Sequence, residues 1–265
     1  MSYLSVNDIN LYYEEHGSGS PLILIAGLAS DSQSWLPVVE SLSRQYRVII
    51  FDNRGSGRTI PQDAKTSIQM MADDCIALVR HLKLPHVHLL GHSMGGFVAL
   101  DCAIRYPHSI SKLILVGTSA FDSDRNNALF SDWASCLETE MDTKLWFRNI
   151  FYWIFSRRFF EDAKSVETAV GLAAKNPYPQ SKTAFRNQVE AIKTFNCLKE
   201  LSNIRSETLM IFGKEDLLFP PKKNSKILRT IPMTETALIA HAAHSVQIER
   251  PKAFVDHVQA FLRSC

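Results

Sequence analysis

Residues 87–106 read VHLLGHSMGGFVALDCAIRY. A short apolar run leads into a serine held between two glycines, and apolar residues at helical spacing follow. Glycine is unfavourable inside a strand or a helix. Gly91 and Gly95 at such a junction therefore mark a backbone that needs room. The pattern G-x-S-x-G between a strand and a helix describes a sharp turn that exposes the serine hydroxyl at the sheet edge. Gly96 predicts that the helix packs close against the sheet. The start of that helix also supplies unpaired N–H groups and the positive end of its dipole. The Met94 N–H is thus a candidate donor to an oxyanion developing beside Ser93. A glycine-rich phosphate loop would require GxGxxG or GK[ST], and neither occurs here.

Outward from this turn, short apolar runs alternate with helical segments. YLSV (3–6) and INLYYEE (9–15) predict an opening hairpin. PLILIAG (21–27), YRVIIFD (46–52), VHLLG (87–91), KLILVGT (112–118), TLMIFG (208–213) and TALIA (236–240) predict strands. Helices are predicted over 30–43, with Ser30 or Asp31 as N-cap, over 67–82 starting near Ser67, over 94–106, near 222–230 and over 251–263. Such alternation predicts an α/β protein with a mostly parallel, doubly wound sheet covered on both faces. It lapses between about 122 and 200. That stretch is dense in aromatic residues such as Phe130, Trp133, Trp146 and Phe151 and reads as a helical insertion after the sixth strand. The expected organisation is a core of residues 1–121 and 201–265 and a helical cap over 122–200. The aromatic residues of the cap either pack its helices or form an apolar underside over a pocket.

A serine nucleophile needs a base, and the base needs an orienting acid. In a strand–turn–helix setting they follow the serine in the order acid, then histidine. GKEDLLFP (213–220) supplies Glu215 and Asp216 directly after a strand, and Asp216 is preferred. TALIAHAAHS supplies His241 and His244 after the next strand, and either qualifies. His92 adjoins the nucleophile but is expected to point elsewhere. His88 is expected to be a core or edge residue of its strand.

The chain has 265 residues, 29 basic and 27 acidic, for a net charge of +2. That near-balance argues against nucleic-acid binding. Cys75, Cys102, Cys136, Cys197 and Cys265 are widely spaced, odd in number and free of any CxxC pair, which fits neither a disulfide framework nor a zinc site. The first residues show no basic segment followed by an apolar run, so no signal peptide is expected. LWFRNIFYWIF (145–155) is interrupted by Arg148 and Asn149, and no run reaches membrane-spanning length. A cytoplasmic protein without membrane association is the expectation.

PLILIAGL (21–28), DNRGSGRT (52–59), GHSMGG (91–96), GKEDLLFP (213–220) and HSVQIERP (244–251) together resemble the cap-bearing serine hydrolases of the α/β-hydrolase superfamily, over almost the whole chain. In that branch the histidine is followed by Glu five residues later and Pro seven later, as His244 is by Glu249 and Pro251. The acid precedes a proline by four residues, as Asp216 precedes Pro220. The resemblance therefore implies a triad of Ser93, Asp216 and His244. It also implies that the Leu28 N–H joins that of Met94 in an oxyanion hole. Ala26 stands where the family usually has a histidine bracing this loop, although the superfamily's enol-lactonases and some esterases vary there too. Ala243 replaces a common glycine. The 52–55 stretch is expected to be a structural loop held by an Asp52–Arg54 ion pair.

What the resemblance implies about activity is hydrolysis of a small-to-medium apolar carboxylic ester or lactone through an acyl-enzyme on Ser93, with no metal and no organic cofactor. Phe121, Trp146, Phe219 and Val246 are the expected substrate-lining residues. Alternatives on the same triad are C–C bond hydrolysis, which an arginine clamp for a substrate carboxylate would favour, and cofactor-free perhydrolysis. Arg125, Arg148 and Arg186 are the candidates for such a clamp. A ligand sensor of hydrolase fold with slow turnover is the alternative from another class.

Overall fold

The computed structural model describes residues 2–139 and 141–264; Cys265 lies outside them. Eight strands form one sheet: β1 (Ser2–Val6), β2 (Ile9–His16), β3 (Ser20–Ile25), β4 (Tyr46–Phe51), β5 (Val87–His92), β6 (Ile110–Val116), β7 (Glu207–Gly213) and β8 (Thr234–Ile239), in the order β1-β2-β4-β3-β5-β6-β7-β8. β1 pairs with β2, and β2 with β4, antiparallel; every other pairing is parallel. The connections run through α1 (Leu36–Ser43), α2 (Ile68–His81), α3 (Met94–Arg105), α4 (Asp124–Glu138), α5 (Thr143–Ile154), α6 (Ala163–Ala174), α7 (Lys182–Thr194) and α8 (Pro221–Leu228), and the chain ends in α9 (Val246–Glu249) and α10 (Pro251–Arg263).

The central strands are apolar at successive positions because both faces are buried. Leu22 and Leu24 of β3 pack in one cluster with Trp35, Val38 and the α10 residues Phe254 and Val258. Ile23 and Ile25 pack in the other, with Met71 and Cys75 of α2 and Phe97 of α3. Among the described residues no helix is long and apolar enough to cross a membrane.

Helices α4 to α7 lie between β6 and β7, where the alternation of the sequence lapses. Each begins at a side chain that accepts a backbone N–H of its first turn: Ser123 from Asn126, Asp142 from Leu145, Asp162 from Lys164 and Ser165, and Ser181 from Ala184. Such caps contribute about 1 kcal/mol each. The helix expected over 30–43 starts instead as a 3-10 turn, Ser32–Trp35, capped by Asp31, before α1 begins.

The Asp52–Arg54 ion pair does not form. Gly55 and Gly57 both have positive φ and curl the loop back, so that Arg58 Nε meets Asp52 Oδ2 at 2.8 Å. A Cβ on Gly57 would stand 2.3 Å from that carboxylate oxygen. Arg54 turns the other way, fully buried, and binds Asp74 of α2 through Nε and Nη2.

Candidate active site

Ser93 sits between β5 and α3 with φ 56° and ψ −119°, a conformation unfavourable for any side-chain-bearing residue. Three hydrogen bonds hold it there. Its N–H donates to Val116 O, and its carbonyl accepts from Gly96 N–H and from Thr118 Oγ1. A Cβ on Gly91 would lie 2.1 Å from Gly95 O, and one on Gly95 would lie 2.1 Å from Ile25 O. The two glycines flanking the serine thus allow α3 to start against the end of β3.

Asp216 follows β7 and His244 follows β8, so the parallel sheet delivers both to the end where Ser93 stands. His244 donates Nδ1–H to Asp216 Oδ2 at 3.0 Å, and both residues are buried. This fixes Nε2 as the nitrogen with the free lone pair. Asp216 Oδ1 accepts the N–H groups of Leu218 and Phe219, each at 2.8 Å. Gly117 leaves room for the pair, since a Cβ there would stand 3.0 Å from His244 Nδ1. Ser93 and His244 face one cavity of about 190 Å³. No Ser93–His244 hydrogen bond is formed among the described residues; such contacts commonly close only around a substrate. Glu215 is exposed, and His241 lies in an exposed turn at φ 55°.

Leu28 borders the cavity next to Gly27, where an added Cβ would stand 3.0 Å from Ser93 Cβ. Neither the Leu28 nor the Met94 N–H has a partner among the described residues. Ala29 holds the loop's left-handed corner at φ 57°. Support for Ala26 comes from Asn53, whose Nδ2 donates to Ala26 O at 2.9 Å. No sequence signal pointed to Asn53 in this role.

His92 is the second residue that sequence reasoning set aside. It borders the cavity, its ring lies 4.6 Å from that of His244, and its Nε2 donates to the His244 carbonyl at 3.0 Å. Burial, reinforced by the neighbouring His244, pushes its pKa down to about 3, so it stays neutral. It props the backbone of His244 as an uncharged donor. The loop on either side of His244 is tied to the end of α5. Glu249 accepts Ala243 N–H on one oxygen and the Ser156 N–H and hydroxyl on the other, while Ser245 N–H donates to Ile154 O.

The roof and walls of the cavity are mainly apolar: Phe130, Trp133, Phe147, Ile150, Phe151, Ile154 and Leu218. None of the four expected lining residues reaches it. Phe121 and Phe219 line a separate hollow beside α8, and Phe219 stacks behind His244. Trp146 lines a neighbouring chamber, and Val246 is buried in the α1–α10 face. For Trp146, Phe219 and Val246 adjacent residues line the cavity instead, namely Phe147, Leu218, Ser245 and Gln247, because neighbouring side chains on a helix or turn point in different directions. The three candidate arginines also lie elsewhere. Arg148 pairs with Glu167, Arg186 with Glu138, and Arg125 donates to Leu217 O.

The family model described as the alpha/beta hydrolase fold matches residues 20–251. A protein of Agrobacterium fabrum that carries the name carbamate hydrolase RutD is 29% identical over 264 residues, spanning 95% of this chain and 98% of that one. One of Mycobacterium tuberculosis named non-heme bromoperoxidase BpoC is 29% identical over 261 residues, 97% of this chain and 98% of that one. Among solved structures, a thermophilic esterase of Thermogutta terrifontis superposes with a TM-score of 0.86 at 25% identity, covering 96% of this chain and 93% of that one. An enol-lactonase of Burkholderia xenovorans has the same fold, with a TM-score of 0.89 at 24% identity over 99% and 100% of the two chains. With the strand order, the insertion after β6 and the match over residues 20–251 in agreement, the chain belongs to the alpha/beta hydrolase family and is a hydrolase of that fold.

Proposed function

We propose that the protein hydrolyses a carboxylic ester or lactone through an acyl-enzyme on Ser93. The observation that carries this reading is the 3.0 Å His244–Asp216 bond opening onto the same cavity as the serine of the strained turn. His244 Nε2 takes the proton of Ser93 Oγ as that oxygen attacks the carbonyl carbon. The resulting oxyanion meets the Leu28 and Met94 N–H groups, donors already oriented and worth several kcal/mol in the transition state. Asp216 holds the imidazole tautomer and stabilises the imidazolium. Collapse expels the alcohol, which takes its proton from His244; in a lactone it stays tethered to the acyl group. Water then attacks the acyl-enzyme by the same steps and releases the acid.

The apolar walls favour an uncharged, apolar group next to the scissile bond. The absence of an arginine among the cavity residues weighs against C–C bond hydrolysis of a carboxylated substrate. The reading is tested with p-nitrophenyl esters of increasing acyl length and a set of lactones, comparing wild type with Ser93→Ala. Turnover that depends on the serine and has a chain-length optimum is the expected result. Stoichiometric acylation without turnover by folded protein would replace the reading with that of a ligand sensor.

A further inference from the structure

Two peptide units fix Asp216. Its Oδ1 accepts the N–H of Leu218, which belongs to the peptide joining Leu217 to Leu218, and the N–H of Phe219, which belongs to the next peptide. A trans peptide is planar, and its C=O points away from its N–H. The carbonyl ends of both units are therefore directed away from the carboxylate, and the first turn of α4 grips them. Asn126 Nδ2 donates to Leu218 O at 2.9 Å, and Arg125 Nη2 donates to Leu217 O. Each unit is thus held at both ends, by the acid on one side and by the cap on the other.

The grip is itself braced. Asn126 is only 1% exposed. Its Nδ2 also donates to Asp122 Oδ1 at 3.0 Å, and its own Oδ1 accepts from Arg125 Nη2 at 3.2 Å. These partners fix which way the amide faces. Asp122 is buried as well and follows β6, the strand that pairs with β7, whose loop carries Asp216. A donor on a carbonyl also polarises the peptide and strengthens the N–H at its far end. The acyl-transfer steps make no direct use of Asp122, Arg125 or Asn126. Yet a continuous set of bonds runs from them through Leu218 to Asp216 and His244.

We propose that Asn126 and Arg125 are positioning residues for the acid of the triad: by holding the carbonyls of Leu217 and Leu218 they aim two N–H groups at Asp216 Oδ1 and keep Oδ2 turned to His244. Asp122 orients Asn126 for this task. The inference rests on the reading in which Asp216 serves His244 as base, and it gives the first turn of the cap a part in the chemistry besides covering the cavity.

The test has two readouts. The first needs no substrate: the proton NMR signal of His244 Nδ1–H, which a carboxylate partner moves far downfield, recorded in Ser93→Ala protein and assigned by its absence when His244→Ala is added. Adding Asn126→Ala instead should move the signal upfield and speed its exchange with water. The second readout is kinetic. In the active protein Asn126→Ala should lower kcat on a p-nitrophenyl ester by about ten- to a hundredfold, the cost of a misplacement of about 1 Å, with KM within about twofold of wild type. Arg125→Ala should change both readouts in the same direction and by less. Trp146→Phe, which loses a hydrogen bond inside the cap, should leave the signal in place. An unmoved signal in folded Asn126→Ala protein overturns the inference, and so does a Trp146→Phe shift as large as that of Asn126→Ala. Should Asn126→Ala fail to fold, an unmoved signal in Arg125→Ala overturns it. An unchanged kcat in both variants, on an ester that the wild type cleaves, overturns it too. Failure to cleave any ester or lactone would strike the reading of the reaction and leave the NMR signal to decide the positioning.

Discussion

The turn at Ser93 and the underside of the cap build the same cavity by different rules. At the turn each position answers to the backbone: added Cβ atoms at Gly91 or Gly95 would collide with main-chain oxygens at 2.1 Å. Under the cap, positions answer to the face that a helix happens to present. Trp146 and Phe147 are adjacent, yet the first is buried with its Nε1–H donating to Trp133 O and the second faces Ser93. Chemistry here is set by local backbone geometry, and selectivity by packing between distant helices.

The strongest challenge to that contrast is the choice of base. His244→Ala should lower kcat/KM on a p-nitrophenyl ester by about three orders of magnitude or more. His241→Ala, in its exposed turn, should change it by no more than about twofold. Equal losses would break the assignment. Next comes glycine. Gly95→Ala should lower the unfolding free energy by about 3 kcal/mol or more, because backbone must shift. Gly171→Ala, inside α6 with nothing within 4 Å of the added Cβ, should raise it by up to about 1 kcal/mol. Urea unfolding of both variants measures how differently the two regions tolerate one methyl group.

A smaller effect separates the adjacent cap residues. Trp146→Phe should cost about 1–2 kcal/mol through the lost indole hydrogen bond and volume and leave the chain-length optimum in place. Phe147→Ala should move the optimum to longer chains. A further contrast lies in the pH dependence of stability. His92 has a folded-state pKa of about 3, below its ordinary 6.5, so between those values the unfolded chain binds the extra proton and stability falls on acidification. Burial raises the pKa of Asp122 from 3.8 to about 6, so in that window the folded chain binds the extra proton and stability falls as pH rises. Between about pH 4 and 6 the two slopes oppose one another. Asp122→Asn should therefore make stability fall more steeply on acidification than in wild type, by up to about 1.4 kcal/mol per pH unit.

The mostly parallel sheet and the insertion after β6 were legible in strand periodicity, whereas loop position left His241 and His244 equally open and only the resemblance, through Glu249 and Pro251, favoured His244. The spacing of His244 and Glu249 was legible as a pattern, whereas its physical basis, a carboxylate joining the histidine loop to Ser156, needed coordinates. Asn53, His92 and Arg58 were not legible in their roles. Each acts on a residue that a loop or neighbouring strand brings near, Arg58 after two left-handed glycines reverse the chain. Nothing in composition or period encodes such a reversal. Phe121, Phe219 and Val246 failed as lining residues for a related reason. Phe219 and Val246 sit one position away from the lining residues Leu218 and Gln247, and Phe121 faces the separate hollow beside α8.

The two ties flanking His244 have a mechanical consequence. Because Ala243 and Ser245 are fastened to the end of α5 through Glu249 and Ile154, that helix cannot lift from the sheet without pulling on the imidazole between them. In the proposed mechanism these ties couple the seating of the cap to the alignment of the base: with α5 in place, the imidazole is held toward the cavity that Ser93 also faces.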